Sequence, residues 1–318
     1  MRCIVLPGQE PEFNLAAEEY LFRNFTDDLL LLYVNLPSVV VGKHQNAMAE
    51  VNPKFIAENN IKVIRRLSGG GAVYHDPGNL NFSFHQTVDD PARVSFKSFN
   101  EPIVEVLKLL GVPAEISPRN DIFVNGFKVS GHAEHVFRKR ILSHGTLLYD
   151  ANREHLSKAL KNNSGTFHGK AIQSVRSKVA NIVDFMEHRL SLNDFIQHLL
   201  NFMLSAHADN AVYQLSKKDI AAIAALVSEK YSQWEWNFGY SPKYVFEKEA
   251  GNSKVKVQVE KGHIVDLELS NDGLSTKKQN ELVQSLLACP HEYQAISERL
   301  TALLPNTPMV EQLMEVFF

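Results

Sequence analysis

Residues 121–131 read DIFVNGFKVSG, and this stretch leaves the backbone few choices. Asn-Gly between two alternating runs is the strongest short-range hairpin signal, because the two-residue turn needs positive φ at both central positions. With Asn125-Gly126 as the loop, Val124 pairs with Phe127, Phe123 with Lys128, Ile122 with Val129, and Asp121 with Ser130. Side chains alternate faces along a strand. Asp121, Phe123, Lys128 and Ser130 then share one face. Ile122, Val124, Phe127 and Val129 share the other, which is expected to pack inward. The polar face sets a cation beside a carboxylate and a hydroxyl. A solvated ion pair, worth about 0–1 kcal/mol, and a ligand-facing lysine are both open readings of it.

A second stretch, RRLSGGGAVYHDPGN (65–79), puts three glycines in a row. Gly69, Gly70 and Gly71 allow a ligand close to the backbone, and successive N–H groups in such a turn form a concave anion site. Arg65 and Arg66 add fixed positive charge suited to phosphate or carboxylate. A flexible surface loop is the plainer alternative, but it has no need of Ser68, Tyr74, His75 and Asp76 around it. No Gly-Lys-Ser/Thr ending follows, so this is not a P-loop. The strand-like NLNFSFHQ (79–86) follows where a dinucleotide fingerprint needs a helix. What remains is a glycine-lined cradle between strands.

Around these stretches the pattern is mixed. Residues 14–25 read as a helix, and LLLLYV (29–34) and VVVG (39–42) as neighbouring strands. Pro53 opens a short helix, IKVIRR (61–66) is a strand, and 99–110 form a helix closed by Gly111 and Pro113. SHGTLLYD (143–150) is a further strand. Helices are expected to dominate 152–230, with Ser191 and Ser216 as N-caps. QWEWNFGYSP (233–242) breaks that pattern, and 254–270 read as a separate hairpin. Strands and helices do not alternate regularly, which favours an α+β fold over a doubly wound one. A boundary is expected near 245–250.

Net charge is −3 over 318 residues, which disfavours bulk nucleic-acid binding. The first residues lack the pattern of a signal peptide, and no apolar run is long enough to span a membrane. Cys3 and Cys289 form neither a disulfide framework nor a zinc pattern. A cytoplasmic protein without a cysteine nucleophile is expected. His132, His135 and His144 are scattered over a strand and a loop, as ordinary polar residues are.

RRLSGGGAVYHDPGN, NDIFVNGFKVSG, SHGTLL and SVRSKVANI occur in the order and spacing of lipoate–protein ligases and mitochondrial-type lipoyltransferases. GKHQNAMAEVN (42–52) is similar to that family's Gly-x-x-Gln-Asn segment. The resemblance implies the biotin/lipoate protein ligase catalytic fold, a mixed sheet like that of class II aminoacyl-tRNA synthetases. It implies a catalytic domain over 1–247 and a small α+β accessory domain over 248–318. The implied reaction joins lipoate and MgATP into lipoyl-AMP, then passes the lipoyl group to a lysine. The acceptors implied are lipoyl domains of 2-oxoacid dehydrogenase acyltransferase subunits and the glycine-cleavage H protein.

The same resemblance assigns roles. Lys128 is the catalytic lysine, touching the lipoyl carbonyl and the α-phosphate. Arg66, Gly71, Ala72, Val73, Tyr74, Asn120, Asp121, Lys128 and Thr146 face ATP or the adenylate, with Asp121 the candidate magnesium ligand. Arg66, Ser68, Gly69, Gly70, His75, Lys128 and Gly131 face lipoate. An apolar tunnel is expected for the dithiolane tail. One departure is that KVSGHAEH puts His135 where bacterial ligases carry an arginine, with Arg138 and Arg140 as candidate replacements. A transferase using preformed lipoyl-AMP, a biotin–protein ligase and a non-catalytic lipoyl or carboxylate binder are the alternatives.

Overall fold

The computed structural model describes residues 1–160, 165–175, 177–305 and 307–318. Arg176 of the SVRSKVANI stretch lies outside the described residues. The main sheet has six strands in the order β10 (His132–Phe137), β11 (Arg140–Leu148), β6 (Asn79–Thr87), β2 (Leu29–Val34), β1 (Arg2–Val5), β13 (Ala211–Val212). β1 runs parallel to both its neighbours, and the other pairings are antiparallel. The sheet is thus mixed, as the irregular order of elements suggested.

The two faces of this sheet have different tasks. On one face Leu30, Leu32, Leu80, Phe82, Ile141 and Leu147 pack in a single core. The helices Glu101–Leu109 and Leu192–Ser205 cover that face through residues such as Ile103, Leu107, Phe195 and Leu199. On the other face Leu29, Leu31 and Tyr33 meet the first helix, Pro11–Asn24, through Leu15, Ala16 and Leu21. The alternate residues of β6 on that face are Asn79, Asn81, Ser83 and His85, each no more than 2% exposed. Alternation of this kind ordinarily turns the polar set to water. Here the polar set is buried.

A second sheet, β4 (Lys62–Arg65), β3 (Ser38–Val41), β5 (Val73–His75), carries the glycine turn between its outer strands. The runs 29–34 and 39–42 are therefore not paired neighbours. β2 joins β1 and β6, while β3 joins β4 and β5. The turn at Leu36-Pro37 carries the chain from one layer to the other, and Leu36 N donates to Gln9 O.

The Asn-Gly hairpin forms β8 (Ile122–Val124) and β9 (Phe127–Ser130), beside β7 (Ala114–Ile116). Asn125 has φ 49° and Gly126 φ 82°, the positive pair the turn demands. Val124 pairs with Phe127 and Phe123 with Lys128, but Ile122 pairs with Ser130. Val129 is thus the extra residue of a bulge, and the expected Ile122–Val129 and Asp121–Ser130 pairs do not form. The cause lies on the other edge of β9. Lys128 N donates to Lys178 O, and Ala180 N donates to Lys128 O, so a distant segment pulls this strand out of simple register. Phe127 is 41% exposed, not inward, and its ring lies 6.5 Å from Phe185.

Ser191 and Ser216 cap their helices as expected, accepting from Asp194 N and Asp219 N. Between residues 165 and 190 the described chain is not helical in the main. It holds β12 (Thr166–Gly169) and the short turn Ile182–Phe185. β12 pairs with β14 (Tyr244–Ala250) and so begins a four-stranded antiparallel sheet with β15 (Ser253–Glu260) and β16 (His263–Asn271). Helices Thr276–Leu286, Tyr293–Leu303 and Thr307–Phe317 complete the layer over Val255, Val257 and Ile264.

Arg65 does not face a ligand. It is fully buried, and its guanidinium donates to the carbonyls of Gly42, Gln45, Trp236 and Asn237 and to Ser241 Oγ, at 2.8–3.0 Å. It ties the 42–45 loop to the 236–241 turn that the sequence shows only as a break. Arg65→Met strands those acceptors in the interior, at a cost of about 3 kcal/mol or more. Urea unfolding should show the loss as a lowered midpoint with the slope unchanged, and a loss under about 1 kcal/mol would contradict the role.

Candidate active site

The three glycines differ in what constrains them. Gly70 has φ +86°, a conformation that favours glycine. A Cβ on Gly71 would lie 2.9 Å from Ser174 Oγ, so Ser174 closes down on the turn only because that position is bare. Gly69 has open space on its Cβ side. Arg66 shapes the turn from beneath. Its Nη2 donates to Gly69 O at 2.6 Å and Gly71 O at 2.8 Å, its Nη1 to Val40 O, and its Nε to Ser68 Oγ at 2.9 Å. Peptide C=O and N–H groups point opposite ways, so drawing the Gly69 carbonyl inward turns the Gly70 N–H away from Arg66. The N–H groups of Gly69, Gly70 and Gly71 have no protein partner among the described residues.

Arg66 is itself 5% exposed, and burial lowers its pKa to about 10. A buried chain supports it. Ser68 Oγ lies 2.6 Å from His144 Nε2, and His144 Nδ1 lies 2.9 and 3.0 Å from the two oxygens of Glu18. Burial opposes the ionisation of Glu18, yet the attraction and hydrogen bonds of His144 hold its pKa below the ordinary carboxylate value. The Glu18 carboxylate thus balances the Arg66 charge across a histidine and a serine. Glu18 was not foreseen. It sits at an ordinary position in an amphipathic helix, and only the fold shows that this position faces a charge.

Two cavities flank this arrangement. The first, about 390 Å³, is bounded by Arg66, Gly70, Gly71, His75, Asp121 and His144, among others. The second, about 830 Å³, is bounded by Glu50, Tyr74, Leu148, Arg153 and Phe167, among others. They share a wall made by Ala72, Val73, Lys128, Gly131, Thr146 and residues 173–175. Lys128 is the cation on that shared wall. Its Nζ lies 2.9 Å from Asp121 Oδ2, and Asp121 Oδ1 accepts from His132 N at 3.2 Å. A Cβ on Gly131 would meet the lysine Cε at 3.4 Å, an ordinary contact, so Gly131 lies directly against the lysine side chain. Thr146 is fixed against Gly131, with Gly131 N donating to Thr146 Oγ1 and Thr146 N donating to Gly131 O.

Most residues expected here do converge on the cavities. Arg66, Gly70, His75 and Asp121 line the first, Tyr74 the second, and Gly71 the first beneath Ser174. Ala72, Val73, Lys128, Gly131 and Thr146 line both. Ser68, Gly69 and Asn120 line neither. Ser68 is fully buried under the turn, and the Asn120 side chain donates to Glu134. His135 lies off the cavity walls with its ring 5.5 Å from Phe22. Arg140 is tied to the carbonyls of Phe22, Thr26 and Asp27 at the far end of β11, so neither it nor Arg138 lines a cavity.

Ser174 was missed as a site residue, although its stretch was part of the resemblance. Its Oγ accepts from Ala72 N at 2.8 Å and from Gln45 Nε2 at 3.1 Å, and donates to Glu50. The inner cavity also departs from the apolar tunnel expected. Leu15, Val40 and Val73 line it, but so do Tyr33, His75, Asn81 and His144.

Burial holds two histidines neutral, His75 on the wall of the first cavity and His85 behind it. His75 and His85 are each lowered to about pKa 3 by desolvation; Arg66 and His144 add to the shift at His75, whereas at His85 the Glu18 carboxylate opposes it. The unfolded chain takes up protons at these sites near the ordinary value of 6.5, which the folded chain refuses until about 3. Stability therefore falls as pH drops below about 6.5, by up to about 1.4 kcal/mol per pH unit per group. In urea titrations at stepped pH, His85→Asn should remove its share of that slope. An unchanged slope would contradict it.

Residues 10–204 match the family model "Lipoyl protein ligase A/B catalytic domain". The chain is 40% identical to lipoate-protein ligase LplJ of Bacillus subtilis over 92% of this chain and 90% of that protein. It is also 40% identical to lipoate–protein ligase 1 of Staphylococcus aureus, with the same coverage. Among solved structures, a lipoate-protein ligase A bound with ATP superposes with TM-score 0.65 at 30% identity, over 75% of this chain and 98% of that one. Protein Ta0514 of T. acidophilum with bound lipoic acid gives 0.64 at 30% identity, over 74% and 98%.

Proposed function

The chain belongs to the lipoate–protein ligase family, and we propose that it joins lipoate to ATP across two touching cavities whose shared wall carries Lys128. The enzyme is an ATP-dependent ligase. It forms lipoyl-AMP and pyrophosphate, then transfers the lipoyl group to a lysine of an apo lipoyl domain. Lipoate occupies the first cavity and the nucleotide the second. Their reacting ends meet beside residue 128, and the position of that lysine on both walls is the observation that carries the assignment.

The first step brings a carboxylate oxygen onto the α-phosphorus and expels pyrophosphate. Two anions repel as they close. Lys128 leaves Asp121 to bridge them, and at about 4 Å with an effective dielectric near 20 each such charge pair contributes roughly 4 kcal/mol. The Gly70 and Gly71 amides and the Arg66 charge beneath them add to that field. In the second step the acceptor amine attacks the acyl carbonyl, an amide forms, and AMP leaves. Lys128 then stabilises the phosphate as leaving group. No enzyme nucleophile is required, and both cysteines are buried.

Magnesium fits the donor chemistry as an ion shared with the nucleotide. Asp121 offers one carboxylate, and magnesium commonly takes one or two carboxylates plus substrate phosphates. It would neutralise phosphate charge. Thr146, Ala72 to Tyr74 and Asn120 are proposed for the nucleotide side, with Asn120 acting through the backbone turn that presents Asp121. Ser68, Gly69, Gly70, His75 and Gly131 are proposed for the lipoate side. The acceptor class is supported by the archaeal lipoylation system of Thermoplasma acidophilum, described as a bi-partite lipoate protein ligase and its E2 lipoyl domain, whose solved chain is 27% identical with TM-score 0.64. The glycine-cleavage H protein is the further acceptor proposed. We assign residues 1–247 to catalysis and 248–318 to an accessory unit. Among the described residues no helix is long and apolar enough to cross a membrane, and a cytoplasmic location suits two free cysteines.

Lys128→Ala should lower pyrophosphate release with lipoate and ATP by about 10²–10³-fold, the scale of one lost oxyanion donor. Near-normal release would remove the lysine from the mechanism. Gly70→Val, a branched side chain at a left-handed φ, should abolish binding of lipoyl-AMP while far-UV circular dichroism stays unchanged. Tight binding by that variant would refute the cradle.

A further inference from the structure

Two asparagines fix the protonation of a histidine on the wall of the first cavity. Asn14 Nδ2 lies 3.1 Å from Gly8 O and 3.0 Å from Val34 O. Carbonyls only accept, so the Asn14 amide can be placed one way only. The same nitrogen meets Asn35 Oδ1 at 2.8 Å, which fixes the Asn35 amide in turn. Asn35 Nδ2 then faces His75 Nδ1 at 2.9 Å. That ring nitrogen must accept, so the hydrogen resides on Nε2. Asn14 and Asn35 are fully buried, so water cannot rearrange the chain. Burial and the nearby Arg66 and His144 keep the ring neutral.

His75 Nε2 is buried and has no hydrogen-bond partner among the described residues, and His75 lines the first cavity. Its depth follows from strand geometry. On β5 Val73 lies on the shared wall, and His75 is one same-face step further on. On β11 Thr146 lies on the shared wall, and His144 is one such step further on. Both steps lead away from the second cavity, and two residues of strand span about 7 Å. Lys128 holds the carboxyl end of the acyl substrate in the reading above, on which this inference rests. His75 thus stands where the tail of a medium-length acid reaches, not at its carboxylate.

We propose that His75 is a specificity-determining residue, an obligate Nε2–H donor held by Asn35 and Asn14 that selects an acyl tail bearing lone pairs over a saturated hydrocarbon tail. The dithiolane sulfurs of lipoate supply weak acceptors. An octanoyl tail of similar length supplies none and leaves the buried N–H as unpaired as it is in the free protein, so only the lipoyl tail gains a partner. Asn35 and Asn14 are positioning residues, because they act through His75.

The test compares kcat/KM for pyrophosphate release with lipoate and with octanoate. The wild type should favour lipoate. In His75→Leu the lipoate-to-octanoate ratio should fall on the order of tenfold, and His75→Gln, which restores an N–H, should recover part of it. An unchanged ratio in His75→Leu overturns the proposal. Should that variant fail to fold, ¹⁵N spectra of the wild-type imidazoles decide instead. A buried ring protonated at Nε2 and insensitive to pH supports the proposal, and an Nδ1–H tautomer at His75 overturns it. A wild type that activates neither acid would contradict the ligase reading itself, whereas an active enzyme with an insensitive ratio contradicts only the role of His75.

Discussion

A guanidinium buried beneath a glycine turn is the interaction on which the rest of this site depends. Arg66 gathers the carbonyls of Gly69, Gly71 and Val40 with Ser68 Oγ, and so decides which side of each peptide faces outward. Burying a charge without a partner is very costly. The chain meets that cost with Glu18, reached through His144 and Ser68. The glycine turn is therefore a surface loop whose shape is set in the interior. From above, Ser174 completes it by accepting from Ala72. Without the glycine at 71 that approach would fail, and without Arg66 the carbonyls would compete for the space an anion needs.

The second constraint is the bulged hairpin. Lys128 reaches a shared wall between two cavities because β9 is pulled sideways by the 178–180 segment. That segment follows β12, the strand that opens the four-stranded sheet near the C-terminus. Lysine placement, the Ser174 contact and the sheet of residues 244–271 are thus connected through one stretch of backbone.

Local signals were legible wherever they were chemical and short. Asn125-Gly126 gave a hairpin with the correct turn, Ser191 and Ser216 gave true caps, and the glycine triplet marked the cradle. What the sequence hid was global. NLNFSFHQ reads only as a strand, but the fold buries its polar set, with Asn81 on the wall of the first cavity and Ser83 and His85 behind it. Arg65 and Arg66 read as twins, yet one clamps a distant turn and the other shapes the cradle, because adjacent strand residues point to opposite sides. Glu18 and Asn35 carried no motif, since their roles come from partners 126 and 40 residues away. The bulge at Val129 was invisible because its cause lies some fifty residues downstream.

On this mechanism one lysine touches both halves of a mixed anhydride held between two cavities. A crystal structure with a non-hydrolysable lipoyl-AMP analogue tests it most directly. The Lys128 ammonium should lie within hydrogen-bond distance of both the acyl carbonyl and the phosphate, with the tail between Tyr33, His75 and His144. An analogue bound with its tail in the larger cavity, or with Lys128 still paired to Asp121 and remote from the phosphate, would contradict it.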